Sequence, residues 1–146
     1  MRAIVQRVSR ACVRVDGQAV GQIGAGLCVL IGVTHRDGAA EAGRLAAKVA
    51  TLRLFGDEAG VMNRSVVEAA GAVLVVSQFT LYGDTSRGRR PSWSAAAPRA
   101  HAEPLIDTVV ARLVDYGLAV ATGRFGAHME VELVNDGPVT VLVDVP

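Results

Sequence analysis

The groups in this chain best placed for chemistry are the hydroxyls of Ser77 and Thr80 and the amide of Gln78, in the string Ser77-Gln78-Phe79-Thr80-Leu81. The string follows Ala72-Val73-Leu74-Val75-Val76, an apolar run without alternation, which is the pattern of a strand covered on both faces. The end of such a strand is where open α/β sheets present ligand-binding groups. The plain alternative is that Gln78 satisfies backbone groups at the strand end and Thr80 is an ordinary β-former. A threonine hydroxyl attacks an acyl group only when a base removes its proton, and the string holds no histidine, lysine or carboxylate. His35, His101 and His128 are scattered and read as ordinary surface or core histidines.

A second group, Asn135-Asp136-Gly137-Pro138-Val139-Thr140, sits between two apolar strand patterns. By itself it reads as a hairpin connection, with glycine accepting positive φ and proline ending the ladder. Arg87, Arg89 and Arg90 crowd a loop rich in Ser, Gly and Pro, either as a solvated basic loop or as a hold on a few phosphates of an RNA end. Arg7 is a charge inside an otherwise apolar first strand.

These groups must be positioned by the elements around them. Runs rich in Val and Ile at 2–8, 11–15, 18–23 and 27–33 predict consecutive, mostly antiparallel strands, with Asp16-Gly17 turning between the second and third. Gly21, Gly24 and Gly26 lack the spacing of a dinucleotide-binding fingerprint and read as turn glycines. Leu45, Val49 and Leu52 at helical spacing predict a helix over 39–54. Pro104 opens a second, with Leu105, Ile106, Val109, Val110, Leu113 and Val114 as its apolar stripe and Gly117 as its end. Strands are expected near 118–123, 129–134 and 139–145. The fold class is therefore α/β, one domain over 1–146 of mixed, largely antiparallel sheet with two main amphipathic helices.

No window is apolar and long enough for a membrane span, and Arg2 and Arg7 arrive too early for a secretory signal, so the expectation is a cytoplasmic protein. Cys12 and Cys28 sit singly in apolar runs with no partner histidine, as buried thiols rather than metal ligands, and no cofactor is implied. A formal charge of +1 excludes a protein that coats nucleic acid by charge alone, and no DNA partner is expected.

Several separated blocks share a further property. Gln6-Arg7-Val8, Gly24-Ala25-Gly26-Leu27, Met62-Asn63, Val75 to Leu81, Arg90-Pro91-Ser92, Thr122-Gly123-Arg124-Phe125 and Leu133 to Thr140 together resemble the D-aminoacyl-tRNA deacylases, from Arg2 to the end of the chain. The resemblance implies a barrel-like homodimer, without a metal, that hydrolyses the ester joining a D-amino acid to the 3′-terminal ribose of tRNA. Its site would lie at Ser77, Gln78, Phe79 and Thr80. Two routes are open: Thr80 as nucleophile, or water as nucleophile with N–H groups around Phe79 and Thr80 stabilising the oxyanion and the vicinal ribose hydroxyl assisting.

The resemblance further implies that the Gly137-Pro138 peptide is cis and enters the site of a partner subunit. There it would admit a hydrogen or D side chain and exclude an L one by crowding. By the same resemblance Phe125 and Met129 border the pocket, Arg7 anchors the inserted turn, and Arg87, Arg89 and Arg90 meet tRNA. Gly83 and Trp93 depart from the family's expected Ala and Phe. Two other classes stand beside this one: a non-catalytic aminoacyl-tRNA-binding accessory module, and a hydrolase of small D-aminoacyl esters.

Overall fold

A computed structural model describes residues 1–146. Its organising element is β1, Arg2–Val15. One edge of β1 pairs antiparallel along its whole length with β8, Glu130–Asp144, while the other edge is shared. Its first half pairs with β3, Gly26–Gly32, and its second half with β2, Gln18–Ile23. Beyond β3 the sheet becomes parallel, adding β6, Ala72–Ser77, and then β7, Ala119–Thr122. The path β2-β1-β3-β6-β7 curls until β2 meets β7.

Glycine permits that closure. A Cβ at Gly21 would collide with the Thr122 carbonyl oxygen of β7, and one at Gly26 would collide with that of Ala72. These two are close-approach glycines, not the turn glycines that sequence suggested; only Gly24 has open space and sits in a bend.

The expected break between strands 2–8 and 11–15 is a bulge within one strand. Register shifts at Ser9, with Val8 opposite Asn135 but Arg10 opposite Val134. The extra residue restores the phase, so that Val8, Ala11 and Val13 all face one inner cluster with Cys28, Leu74 and Val76. Met1, Ala3 and Val5 face the larger core under the helices instead. β6 lies between the two: Val73 and Val75 enter the helix-side core, Leu74 and Val76 the other. That two-sided burial accounts for its unbroken apolar sequence.

Both helices cover the helix-side core. α1, Ala39–Thr51, buries Leu45 and Val49, and its start is tied by the Glu41 carboxylate accepting the Gly38 N–H at 2.7 Å. α2 spans Arg99–Asp115, so it begins before Pro104, which lies inside it. Pro98 occupies the N-cap, and the buried face runs Ala102, Ile106, Val109, Leu113, leaving Val114 exposed. The short hairpin β4–β5, Phe55–Gly56 with Met62–Arg64, escaped the sequence reading because its strands are too short to show a period.

Candidate active site

β3, β6 and β7 run parallel, and β6 carries Ser77 to their shared carboxyl end, opposite Ile31. The Gln78 N–H extends the ladder one step by donating to the Ile31 carbonyl at 2.7 Å. The chain then coils into a single 310 turn, Phe79–Tyr82. Gly32 lets this turn settle on β3, since a Cβ there would press on Leu81 Cβ at 3.0 Å and the Gln78 carbonyl oxygen at 3.1 Å. The first bond of the turn runs from Leu81 N–H to the Gln78 carbonyl at 3.2 Å, so the N–H groups of Phe79 and Thr80 lie outside its ladder.

Beside the strand end opens a cavity of about 280 Å³. Ser77, Gln78 and Phe79 form one side, Ala102 and Ile106 of α2 another, and the segment Phe125 to Met129 a third. Phe125 is fixed from behind: the Arg99 guanidinium lies 5.5 Å from its ring centroid and is held by Glu103 through bonds of 2.8 and 3.2 Å. Met129 packs over Gly123, where a Cβ would lie 2.6 Å from the sulfur. His128 also lines the cavity, which sequence reasoning missed; its place between Ala127 and Met129 in a segment already singled out was the available signal.

Thr80 is exposed, and its Oγ1 accepts a hydrogen bond from the Gln78 amide, with no carboxylate or imidazole bonded to it. The other histidines are engaged elsewhere, His35 with the Ser94 carbonyl and His101 with the Asp37 carbonyl, each at 2.9 Å. Tyr82, in the same turn, is pushed up to about 12 by burial and by Asp37, so its phenol stays protonated near neutral pH. Burial alone pushes the Cys28 thiol up to about 11, which leaves it unreactive.

The second motif is not a hairpin. β8 is continuous, and Gln6 pairs with Thr140 while Val8 pairs with Asn135, so Asp136 to Val139 stand opposite Arg7 alone and are extruded as a wide bulge. The Asn135 amide spans its neck, donating to the carbonyls of Arg7 at 2.9 Å and Val139 at 3.0 Å. Arg7 braces it from below: Nη1 donates to the Leu54 carbonyl at 2.6 Å and Nε to the Asp136 carbonyl at 3.1 Å. The side chain of Arg7 is only 16% exposed, so it points inward rather than to solvent. Gly137 has φ +128°, and its peptide bond to Pro138 is cis. Both residues are exposed, and neither lines the cavity of their own chain.

Arg87, Arg89 and Arg90 are exposed at the tip of a loop clasped by the backbone pair Asp84 and Ser92. Below the clasp, Gly83 and Trp93 touch: a Cβ at Gly83 would lie 2.5 Å from the indole Cζ3. The absence of a side chain at Gly83 makes room for the Trp93 ring.

A family profile described as D-Tyr-tRNA(Tyr) deacylase matches residues 4–144. The chain belongs to this family. Among its relatives is the D-aminoacyl-tRNA deacylase of Symbiobacterium thermophilum, 63% identical over 144 residues, covering 99% of this chain and 95% of that protein. A solved structure of a c-Myc DNA unwinding element binding protein shares 38% identity with this deacylase-family chain at a TM-score of 0.93, covering 100% of it and 99% of the other. A second, a probable eukaryotic D-amino acid tRNA deacylase, has the same fold at a TM-score of 0.84 and 18% identity, covering 99% and 98%. No helix of the chain is long and apolar enough to cross a membrane.

Proposed function

We propose that this chain hydrolyses the ester of D-aminoacyl-tRNA, and of glycyl-tRNA, to free amino acid and tRNA. The observation that carries the reading is the 310 turn at the cavity edge, with the Phe79 and Thr80 N–H groups outside its ladder and no proton acceptor on the Thr80 hydroxyl. Two such donors aimed at a developing oxyanion contribute about 3 kcal/mol each in a preorganised site. A water molecule attacks the ester carbon, the vicinal ribose hydroxyl relays its proton to the leaving ribose oxygen, and the carboxylic acid departs. An aminoacyl ester is labile enough for positioning and oxyanion stabilisation to suffice.

Handedness is checked by a second copy of the chain. Its Gly137-Pro138 bulge reaches this cavity and sets backbone against the substrate α-carbon, leaving room for hydrogen or a D side chain. Supporting this, the bulge is exposed and does not line its own cavity, yet it is held firmly by Arg7 and Asn135. Exposed Val131 and Val134 offer apolar surface for the partner. Glycine has no side chain to exclude, so glycyl-tRNA is cleaved. Arg87, Arg89 and Arg90 meet tRNA phosphates, and this substrate sets the work in the cytoplasm.

The test is Thr80→Ala on D-aminoacyl-tRNA. Retained deacylation, within about tenfold of the parent, is the expected result. Loss of all turnover in a folded variant restores Thr80 as nucleophile. Binding of aminoacyl-tRNA without hydrolysis by the parent protein would instead make the chain an accessory capture module.

A further inference from the structure

Trp93 lies outside the cavity and takes no part in the chemistry described above, yet it is 42% exposed, and Phe79 beside it is 54% exposed. Their rings meet edge to face, with centroids 5.4 Å apart and planes at 72°. A T-shaped pair leaves ring faces uncovered. Trp93 is held by the close approach of Gly83 and by the backbone clasp between Asp84 and Ser92, so the indole is fixed rather than free to fold away. From that clasp projects the loop carrying Arg87, Arg89 and Arg90, none of which forms an ion pair. The loop's carboxylate, Asp84, is turned to its own backbone, accepting the Ser86 N–H at 2.9 Å.

Fixed aromatic faces beside unpaired guanidinium groups form the combination that binds single-stranded nucleic acid: bases stack while cations follow the phosphates. We propose that Trp93, with the outer face of Phe79, is a stacking platform for the unpaired nucleotides preceding the terminal adenosine of tRNA, with the arginine loop holding their phosphates. The assignment rests on the deacylase reading of the adjoining cavity and adds a nucleotide subsite to it. Arg phosphate contacts carry no base preference, so the platform serves any tRNA sharing the same 3′ strand.

Trp93 is the single tryptophan of the chain, so its emission reports the platform directly. Deacylated tRNA titrated into the intact protein should quench that emission, and Arg89→Ala should weaken the apparent affinity several-fold while flattening its salt dependence. In turnover, Trp93→Ala should raise KM for D-aminoacyl-tRNA by about tenfold and leave hydrolysis of D-aminoacyl-adenosine, which lacks the preceding nucleotides, unchanged. Trp93→Phe should recover part of the loss, since a smaller ring still stacks. If tRNA leaves the emission unchanged while the parent protein still turns over D-aminoacyl-tRNA, the platform is refuted and the deacylase reading survives. Equal losses on both substrates would make Trp93 a prop for Phe79 and refute the platform too. An emission change on dilution, with none on adding tRNA, would assign the surface to a second copy of the chain.

Discussion

The end of β6 and the bulge of β8 both interrupt a well-paired sheet, and they do so by opposite means. At β6 the strand ends, and the ladder passes through the Gln78 N–H into a turn whose first donors lie outside its own bonds. In β8 the strand does not end: a register shift against β1 extrudes Asp136 to Val139, and side chains, Asn135 and Arg7, close the neck. The first region therefore owes its geometry to backbone pairing and apolar burial, the second to a few polar contacts. A site of the first kind tolerates side-chain change; one of the second kind fails when a single brace is removed.

The largest expected effect follows from Arg7. Arg7→Ala removes charge-assisted bonds to the Leu54 and Asp136 carbonyls and should destabilise the fold by about 3 kcal/mol in urea unfolding, with rejection of L-aminoacyl-tRNA lost in the surviving folded protein. Arg7→Lys keeps the charge but not the fork, and should restore stability only in part. Gly137→Ala comes next, because φ +128° is strained for alanine and a Cβ would meet Val139 Cγ2 at 2.8 Å and Arg7 Nη2 at 3.0 Å. Hydrolysis of L-aminoacyl-tRNA should rise about tenfold relative to D, equivalent to about 1.4 kcal/mol between the competing transition states; an unchanged ratio would break the comparison.

Near the β6 end, steric coupling replaces polar bracing. Gly83→Ala alone should cost about 1 kcal/mol against the indole, and the same change in a Trp93→Phe background should cost less, with the Thr80 carbonyl oxygen at 3.0 Å as the remaining obstacle, a coupling read by thermal unfolding of all four proteins. The smallest effect is acid sensitivity away from both regions. Glu41 and Glu68 accept the Gly38 and Ser65 N–H groups at 2.7 Å, and these backbone bonds hold both carboxyls below their usual range. Lowered folded values contribute stability above the unfolded carboxylate range, near 4.3, that is lost as pH falls through the folded values. Tm should be level from about pH 7 to 5 and fall below about pH 4, without either region governing the slope.

The two regions also differed in how far sequence disclosed them. Ala72 to Val76 announces a strand buried on both faces, and the polar residues after it mark its end, so the β6 region was readable from hydropathy. Neither the bulge nor the strand phase around Ser9 was, because a register shift is a property of two strands and leaves no period in either. Asn135 to Thr140 looked like a hairpin for the same reason: the residues that make a turn also make an extrusion. The early start of α2 was hidden by Pro104, whose ring is more familiar at a helix's first turn than inside it. Only resemblance to a family, not pattern, suggested a role for Arg7 beside Gly137-Pro138. Their contact through Asp136 gives that link a geometry.

The central claim is that handedness is judged by two copies together, the cavity from one and the bulge from the other. It is tested most directly by the ratio of D- to L-aminoacyl-tRNA hydrolysis, measured while protein is diluted through the range in which light scattering shows the oligomer dissociating. Strong D selectivity in the dimer, with turnover per chain falling as monomer forms, is the expected result. A monomer that still hydrolyses D-aminoacyl-tRNA and still refuses the L form would contradict it.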